Sequence, residues 1–242
     1  MALDDHAAIG SRHRAAVATL RPVPRELQAP RLPRHLEQLH LDELGDGDEL
    51  AGVEITGDVA GWSADRVEII ESRLSRLRAT GSELRGRRLR DVALEGCDLS
   101  GAKLEDARLE RCSFVDCRLS GIVLASARLR HVSFRDCRMA MVNLRVATSE
   151  LLRFDACDLR NSDLYGAQLP GTRFLACDLT GADVSSASLD GSELHQSRLD
   201  GLVGVLALRN VVVDPVQAAA VGHALLAAHG ISVTDEPTSR PD

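Results

Sequence analysis

Aromatic residues make up only 2% of this 242-residue chain: Trp62, Tyr165 and four Phe. A surface that stacks successive bases needs aromatic platforms, so a single-strand nucleic-acid binder of that kind is excluded. No uncharged apolar run reaches the roughly 18 residues a spanning helix needs. The opening residues, MALDDHAAIGSRHR, carry acids and no apolar segment, so they do not read as a secretory signal. Six Cys without such a signal point to free thiols in a reducing, cytoplasmic setting. The phosphate-binding loop, the zinc-protease helix motif and the nucleophile elbow are all missing. What remains is a core-forming chain, 44% apolar and 27% charged, with a mild net charge of −7.

The chain has a period instead. Written in fives from Val67 to Gly201, it gives 27 units without insertion or deletion, among them CDLSG, AKLED, CRLSG, CDLRN, SDLYG, CDLTG and ADVSS. The third position is Leu in 18 units and Phe in four, and Ile69, Ala79, Met139, Ser149 and Val184 fill the rest. On a helix a step of five rotates the Leu by about 140°, so no apolar stripe forms. On a flat strand an odd period sends successive Leu to opposite faces. Positions one and three do share a face within a unit. All of them stay inward only if the chain turns a corner after every unit.

Residue identity counts the corners. Phe114, Phe134, Phe154 and Phe174 lie 20 apart at the third position. Cys97, Cys117, Cys137, Cys157 and Cys177 do the same at the first position, as do Ala107, Ala127, Ala147, Ala167 and Ala187. Four units therefore make one coil, and like stacks on like. The fold class is an all-β solenoid, a four-sided parallel β-helix just under seven coils and roughly 30 Å long at a coil spacing of about 4.8 Å. The narrow interior takes small residues opposite Leu and Phe. These units resemble the pentapeptide repeat family, whose pattern reads A(D/N)LXX. The resemblance covers about 55% of the chain and implies a right-handed quadrilateral β-helix.

The organisation expected around the β-helix at 67–201 is as follows. Residues 1–47 are an extension, weakly patterned over 1–20, with the proline-rich RPVPRELQAPRLPRHLEQ as an extended covering segment. Residues 48–66 are an irregular first row, DELAG VEITG DVAGW, broken from the main register by SADR. Residues 202–231 are a C-terminal strand and capping α-helix, opened by the Asp214–Pro215 cap pair and stopped at Gly230. Its apolar face is Val216, Ala220, Val221, Ala224, Leu225 and Ala228. The open end of a solenoid requires a cap, and the resemblance adds a homodimer contact at this helix. Residues 232–242 are a polar tail.

Candidate sites are sparse. The Cys ladder reads as small buried hydrophobes, because a single file of thiols cannot close a tetrahedral metal site. No metal, cofactor or catalytic residue is expected. His131 and His195 sit outward and far apart, with no Ser or Cys placed for nucleophilic catalysis, so the chain does not read as an enzyme. Charge is polarised along the axis: residues 67–154 carry 17 basic and 12 acidic residues, and 155–201 carry 3 and 8. Arg88, Arg108 and Arg128 fall in one column, with Arg90 and Arg130 beside them and Glu110 between. This reads first as a solvated, salt-laced face and second as an anion-binding column. At the acidic end Asp158 stacks on Asp178 and Asp163 on Asp183. The ATSEL unit puts Ser149 in a Leu position, with Met141, Val146 and Leu151 at outward fifth positions. A local kink is the favoured reading and an exposed apolar patch the alternative.

The leading functional reading is a non-catalytic interaction scaffold with an unidentified protein partner and no membrane contact. The resemblance supplies an alternative, because some members of that family mimic duplex DNA and bind DNA gyrase, conferring fluoroquinolone resistance. Here the acidic surface would be Asp158, Asp163, Asp178 and Asp183. The positive first coils depart from the pervasive negative field that mimicry calls for, and no loop protrudes between units. Direct nucleic-acid binding through the Arg column ranks third.

Overall fold

The computed structural model describes residues 26–42, 45–85 and 87–234. Residues 1–20 and most of the tail at 232–242 lie outside them. The chain is a right-handed quadrilateral parallel β-helix with a short C-terminal helix. The strands are β1 (Glu37–Leu41), β2 (Glu49–Ala51), β3 (Val53–Gly57), β4 (Ser63–Asp65), β5 (Glu68–Ser75), β6 (Glu83–Arg85) and β7 (Arg88–Glu95). They continue as β8 (Arg108–Val115), β9 (Arg128–Arg135), β10 (Thr148–Asp155), β11 (Arg173–Leu175), β12 (Glu193–His195) and β13 (Val212–Val213), before α1 (Pro215–Ala228). All pairs are parallel. The eight-residue strands wrap two sides of the coil, and the other two sides are turns held by isolated bridges such as Asp98–Arg118 and Lys103–Val123.

The corner residue explains the five-residue period. Every described fifth-position residue from Glu71 to Gly201 has a positive φ, between 48° and 70°. Left-handed backbone costs a non-Gly residue on the order of 1–3 kcal/mol, which accounts for the frequency of Gly there. Coil-to-coil hydrogen bonds offset that strain. Corner N–H groups donate to the next coil, as Asp116 does to the Arg135 carbonyl at 3.0 Å and Gly121 to the Ala140 carbonyl at 2.9 Å. The second-position N–H donates to the previous coil, as Arg118 does to the Cys97 carbonyl at 2.9 Å.

The second-position Asp has an equally local reason. Asp98, Asp158, Asp163, Asp178 and Asp183 each accept, within 2.8–3.2 Å, the backbone N–H two residues on. This Asx turn bends the chain toward its corner. The (D/N) of the repeat is therefore a turn residue first.

Register is 20 residues from β5 to β12 and departs from it only at the ends. Glu37 pairs with Val53, a 16-residue step, and Glu54 with Arg73, a 19-residue step. The solenoid thus begins at β1, inside the segment 1–47 expected to be only extension and cover. The SADR break is a four-residue side, β4, with Ala64 buried and Arg66 at the corner. In the short first coil the backbones crowd, and a Cβ on Gly57 (φ 132°) would run into the Leu41 carbonyl. The kink expected at Ser149 is absent: Ser149 pairs with Leu129 and Phe154 with Phe134 in unbroken register. Backbone hydrogen bonds set that register, so one polar inward residue does not displace it.

The core is one continuous column of inward side chains. Its axis carries the Phe stack, with ring centroids 4.6 Å apart for Phe114–Phe134 and 5.1 Å for the next two steps. Offset stacking of this kind adds about 0.5–1.5 kcal/mol per pair beyond burial. Ser72, Ser82, Ser162, Thr172, Ser192 and Ser197 are also buried at first positions, but Arg87 brings a charge into the lining. It occupies an inward first position, and its three guanidinium nitrogens are buried without a hydrogen-bond partner. Burial lowers its affinity for the proton, against the opposing pull of Asp65 and Asp46.

Leu124, 1% exposed at mid-rod, tests the core. Leu124→Asp buries an unpaired charge between coils, and chemical denaturation should show a loss of several kcal/mol or outright unfolding. A change below about 1 kcal/mol would contradict the inward assignment of the third position.

Candidate functional site

The outward positions of the coils form an extended surface that carries the candidate groups. Arg88, Arg108 and Arg128 are consecutive partners across β7, β8 and β9 and are all exposed. The neighbouring fourth-position column runs Arg90, Glu110, Arg130, Glu150. Arg130 lies 3.6 Å from Glu110 and 3.2 Å from Glu150. The two columns border an open groove of about 280 Å³.

The four candidate acids form two columns, Asp158 on Asp178 and Asp163 on Asp183. They are less available than their spacing implies. Arg160 grips Asp158 with two bonds of 2.8 and 2.7 Å and holds its carboxyl below the usual range. Arg145 reaches Asp163 at 3.0 Å, and Arg198 approaches Asp178 at 3.7 Å. Asp183 is held low by hydrogen bonds from the Ser185 side chain and backbone. Three of the four acids thus have an Arg within 4 Å.

One corner column carries a feature that the sequence reading missed. Asp91, Arg111, His131 and Leu151 sit at the same corner on successive coils, each with positive φ. Arg111 donates to both Asp91 oxygens at 2.6 and 2.7 Å and to Glu110 at 2.5 Å. The described part of the covering segment crosses this column. The Arg31 N–H donates to Asp91 Oδ1 at 3.0 Å, and the Gln28 N–H donates to His131 Nδ1 at 3.1 Å. Leu27 and Leu151 line the groove between strap and rod. His131, expected to sit outward, is therefore 6% exposed and clasped. Burial would raise the Asp91 carboxyl, but the Arg111 fork and the Arg31 N–H outweigh it and hold it low. The same fork raises Arg111. Burial lowers His131, with Glu150 opposing and Arg130 and Arg111 reinforcing.

The cap differs in detail from expectation. Asp214 caps α1 through a capping box with Gln217, and Gln217 Nε2 donates to the Ser197 carbonyl at 2.8 Å. Ala220, Val221, Ala224 and Leu225 are half-buried toward the rod, whereas Val216 is 86% exposed and Ala228 is exposed. The packed face is centred on Gln217, so Val216 and Ala228 fall outside it. Beyond the helix Ile231 and Val233 are exposed as well. A second apolar patch lies at mid-rod. Met141 and Val146 are exposed at two corners of one coil, and Tyr165 lies nearby with Arg145 4.4 Å over its ring.

All six Cys are free and buried. Burial pushes Cys112 up to about 12, so its thiol stays protonated. Among the described residues no cluster of three or more His, Cys, Asp or Glu is placed to hold a metal ion. No described helix is long and apolar enough to cross a membrane.

The model of a pentapeptide repeat region matches residues 87–150, and that of eight copies of the pentapeptide repeat matches 157–196. Among solved structures, trypsin-treated QnrB1, a plasmid-mediated fluoroquinolone resistance protein, is 20% identical over 78% of this chain and 99% of its own, with a TM-score of 0.35. HetL, a pentapeptide repeat protein involved in heterocyst differentiation regulation in the cyanobacterium Nostoc, is 22% identical over 73% and 86%, with a TM-score of 0.30. No curated protein matches.

The clasp is pH-sensitive by construction. His131 Nδ1 accepts a hydrogen bond and so must be unprotonated there. With its folded pKa depressed, protons favour the unclasped state, and the clasp weakens as pH falls through the unperturbed value of about 6.5. Amide exchange at Gln28 and Arg31, corrected for intrinsic rates, should speed up from pH 7.5 to 5.5. His131→Leu should abolish that dependence at Gln28. Equal protection at both pH values would disprove the clasp.

Proposed function

Because the chain belongs to the pentapeptide repeat family, we propose that it is a non-catalytic cytoplasmic scaffold, a rigid rod that presents side chains to a protein partner. The observation that carries this reading is the unbroken 20-residue register from β5 to β12. Inward residues and corners specify the rod, so outward second and fourth positions remain for recognition. A partner would meet a surface already fixed, at little cost in ordering entropy. Self-association belongs to the same reading. Val216 at the start of α1 and Ile231 and Val233 beyond its end are exposed apolar residues, and a second copy of the chain covers them as a homodimer.

DNA gyrase is the alternative protein partner. The C-terminal coils are net acidic, and a dimer through α1 brings two such regions together at the centre of a longer rod. A central segment resembling the charge of duplex DNA is the result. The Arg partners of Asp158, Asp163 and Asp178 and the positive first coils weigh against this reading, which stays second to the scaffold.

Supercoiling and fluoroquinolone-stabilised cleavage assays, titrated to a large molar excess of protein, decide between the two. Inhibition or protection that weakens at least several-fold on charge reversal at Asp158, Asp163, Asp178 and Asp183 establishes the gyrase reading. Silence in both assays removes it and leaves a scaffold for another protein. Light scattering should give about twice the chain mass of 26.1 kDa. Val216→Glu with Ile231→Glu should return it to one chain, and a monomeric parent protein would refute the dimer.

A further inference from the structure

Five basic side chains on this rod face a carboxylate one coil away. Arg78 lies over Asp58, Lys103 over Glu83, Arg118 over Asp98, Arg173 over Glu193 and Arg198 over Asp178. Each basic side chain faces a carboxylate about 4.8 Å along the axis, the cheapest arrangement a parallel ladder allows.

The column Arg88–Arg108–Arg128 instead puts three like charges in succession. Three guanidinium groups stack in register, and only the outermost, Arg88, has a carboxylate in reach, Glu68 at 3.5 Å. Arg108 and Arg128 form no ion pair among the described residues. The nearby acids are already engaged, since Glu110 serves Arg111 and Arg130, and Glu150 serves Arg130. Arg90, on the other side of the groove, keeps a buried Nε without a partner. The groove lining is therefore five Arg, Glu110 and Leu109. The fold does not require any of this. Second positions on the other sides accept Asp, Asn, Ser and Val.

We infer that this groove binds the phosphate backbone of a nucleic acid through Arg88, Arg108 and Arg128. Arg forks pair bidentately with phosphate oxygens, and a row of them along one axis matches a linear polyanion. Contact is to the backbone alone, because no aromatic side chain lines the groove and its floor is strand backbone too flat to enter a base-lined groove. Binding is therefore insensitive to sequence and steeply dependent on salt. This surface lies on the basic coils, away from α1 and the acidic columns, so it extends the scaffold reading without depending on it.

The test is fluorescence anisotropy of a labelled 20-base-pair duplex titrated with the full-length protein at 50 and 200 mM NaCl. Three phosphate contacts predict an affinity loss of about 40-fold across that range. Arg108→Gln with Arg128→Gln should weaken binding at least 10-fold at low salt and lower the salt slope by about 2. Its melting temperature should hold or rise, because two stacked like charges are gone, which separates lost binding from lost fold. Arg173→Gln, a paired Arg elsewhere on the rod, should leave binding unchanged. No binding at 50 mM, or a double variant that binds like the parent protein, would overturn the inference. So would a poly-glutamate peptide that displaces the duplex at equal charge concentration, since the surface would then read carboxylate rather than phosphate.

Discussion

Backbone hydrogen bonding from one coil to the next governs everything else in this molecule. Carbonyl and N–H groups on the rim of a coil find their partners one coil away, so coils from β5 to β12 keep the same length and corners in the same places, and only the end coils depart from it. Side chains then stack on their own counterparts. A residue type that suits its niche recurs above and below it, as the Phe ladder and the Cys file do. A residue that does not suit, such as Ser149 or the buried Arg87, is tolerated because the backbone ladder does not consult it. Strain at the left-handed corners is the recurring cost, met by Gly at some of them and by the flanking hydrogen bonds at all.

Stacking has the opposite effect on charge. In a ladder with one layer per 20 residues, a charge meets its image unless the sequence alternates sign. Part of the surface alternates, and the result there is a skin of exposed ion pairs, each worth little. Alternation lapses in the two Asp columns, at Arg118–Arg138 and Arg153–Arg173, and over three coils in the Arg column, and the strap is where a charge pair is buried. Asp91 and Arg111 have side-chain exposures of 5% and 14%, and the strap over them turns a surface pair into a structural fastener.

The fold was legible because its determinants are periodic. The 20-residue spacing of Phe, Cys and Ala gave the number of sides, and the position of Leu gave the inward face. Asp214, Pro215 and Gly230 marked the helix by local chemistry. What the sequence concealed was contact across unequal spacings. Nothing about Gln28 or Arg31 announces that their amides meet His131 and Asp91, and a 16-residue first coil has no repeat to betray it. The acidic columns misled for a different reason. Their spacing was read correctly, but Arg160 sits two residues from Asp158 and Arg145 one coil below Asp163, and both neutralise what spacing alone presented as bare. The helix face was rotated because Gln217, a polar residue, is the one buried to bond Ser197.

The strap also sets a ruler against the rod. Arg31 and Gln28 are fastened to residues two coils apart, Asp91 and His131, so three residues of strap span about 10 Å of axis at full extension. Whole coils are interchangeable in the ladder, and a gene that gains or loses 60 bases anywhere beyond His131 yields a longer or shorter rod with every hydrogen bond remade. Between Asp91 and His131 the same event would leave the strap mismatched by a full coil. The length of this protein is thus free to drift at one end and fixed at the other.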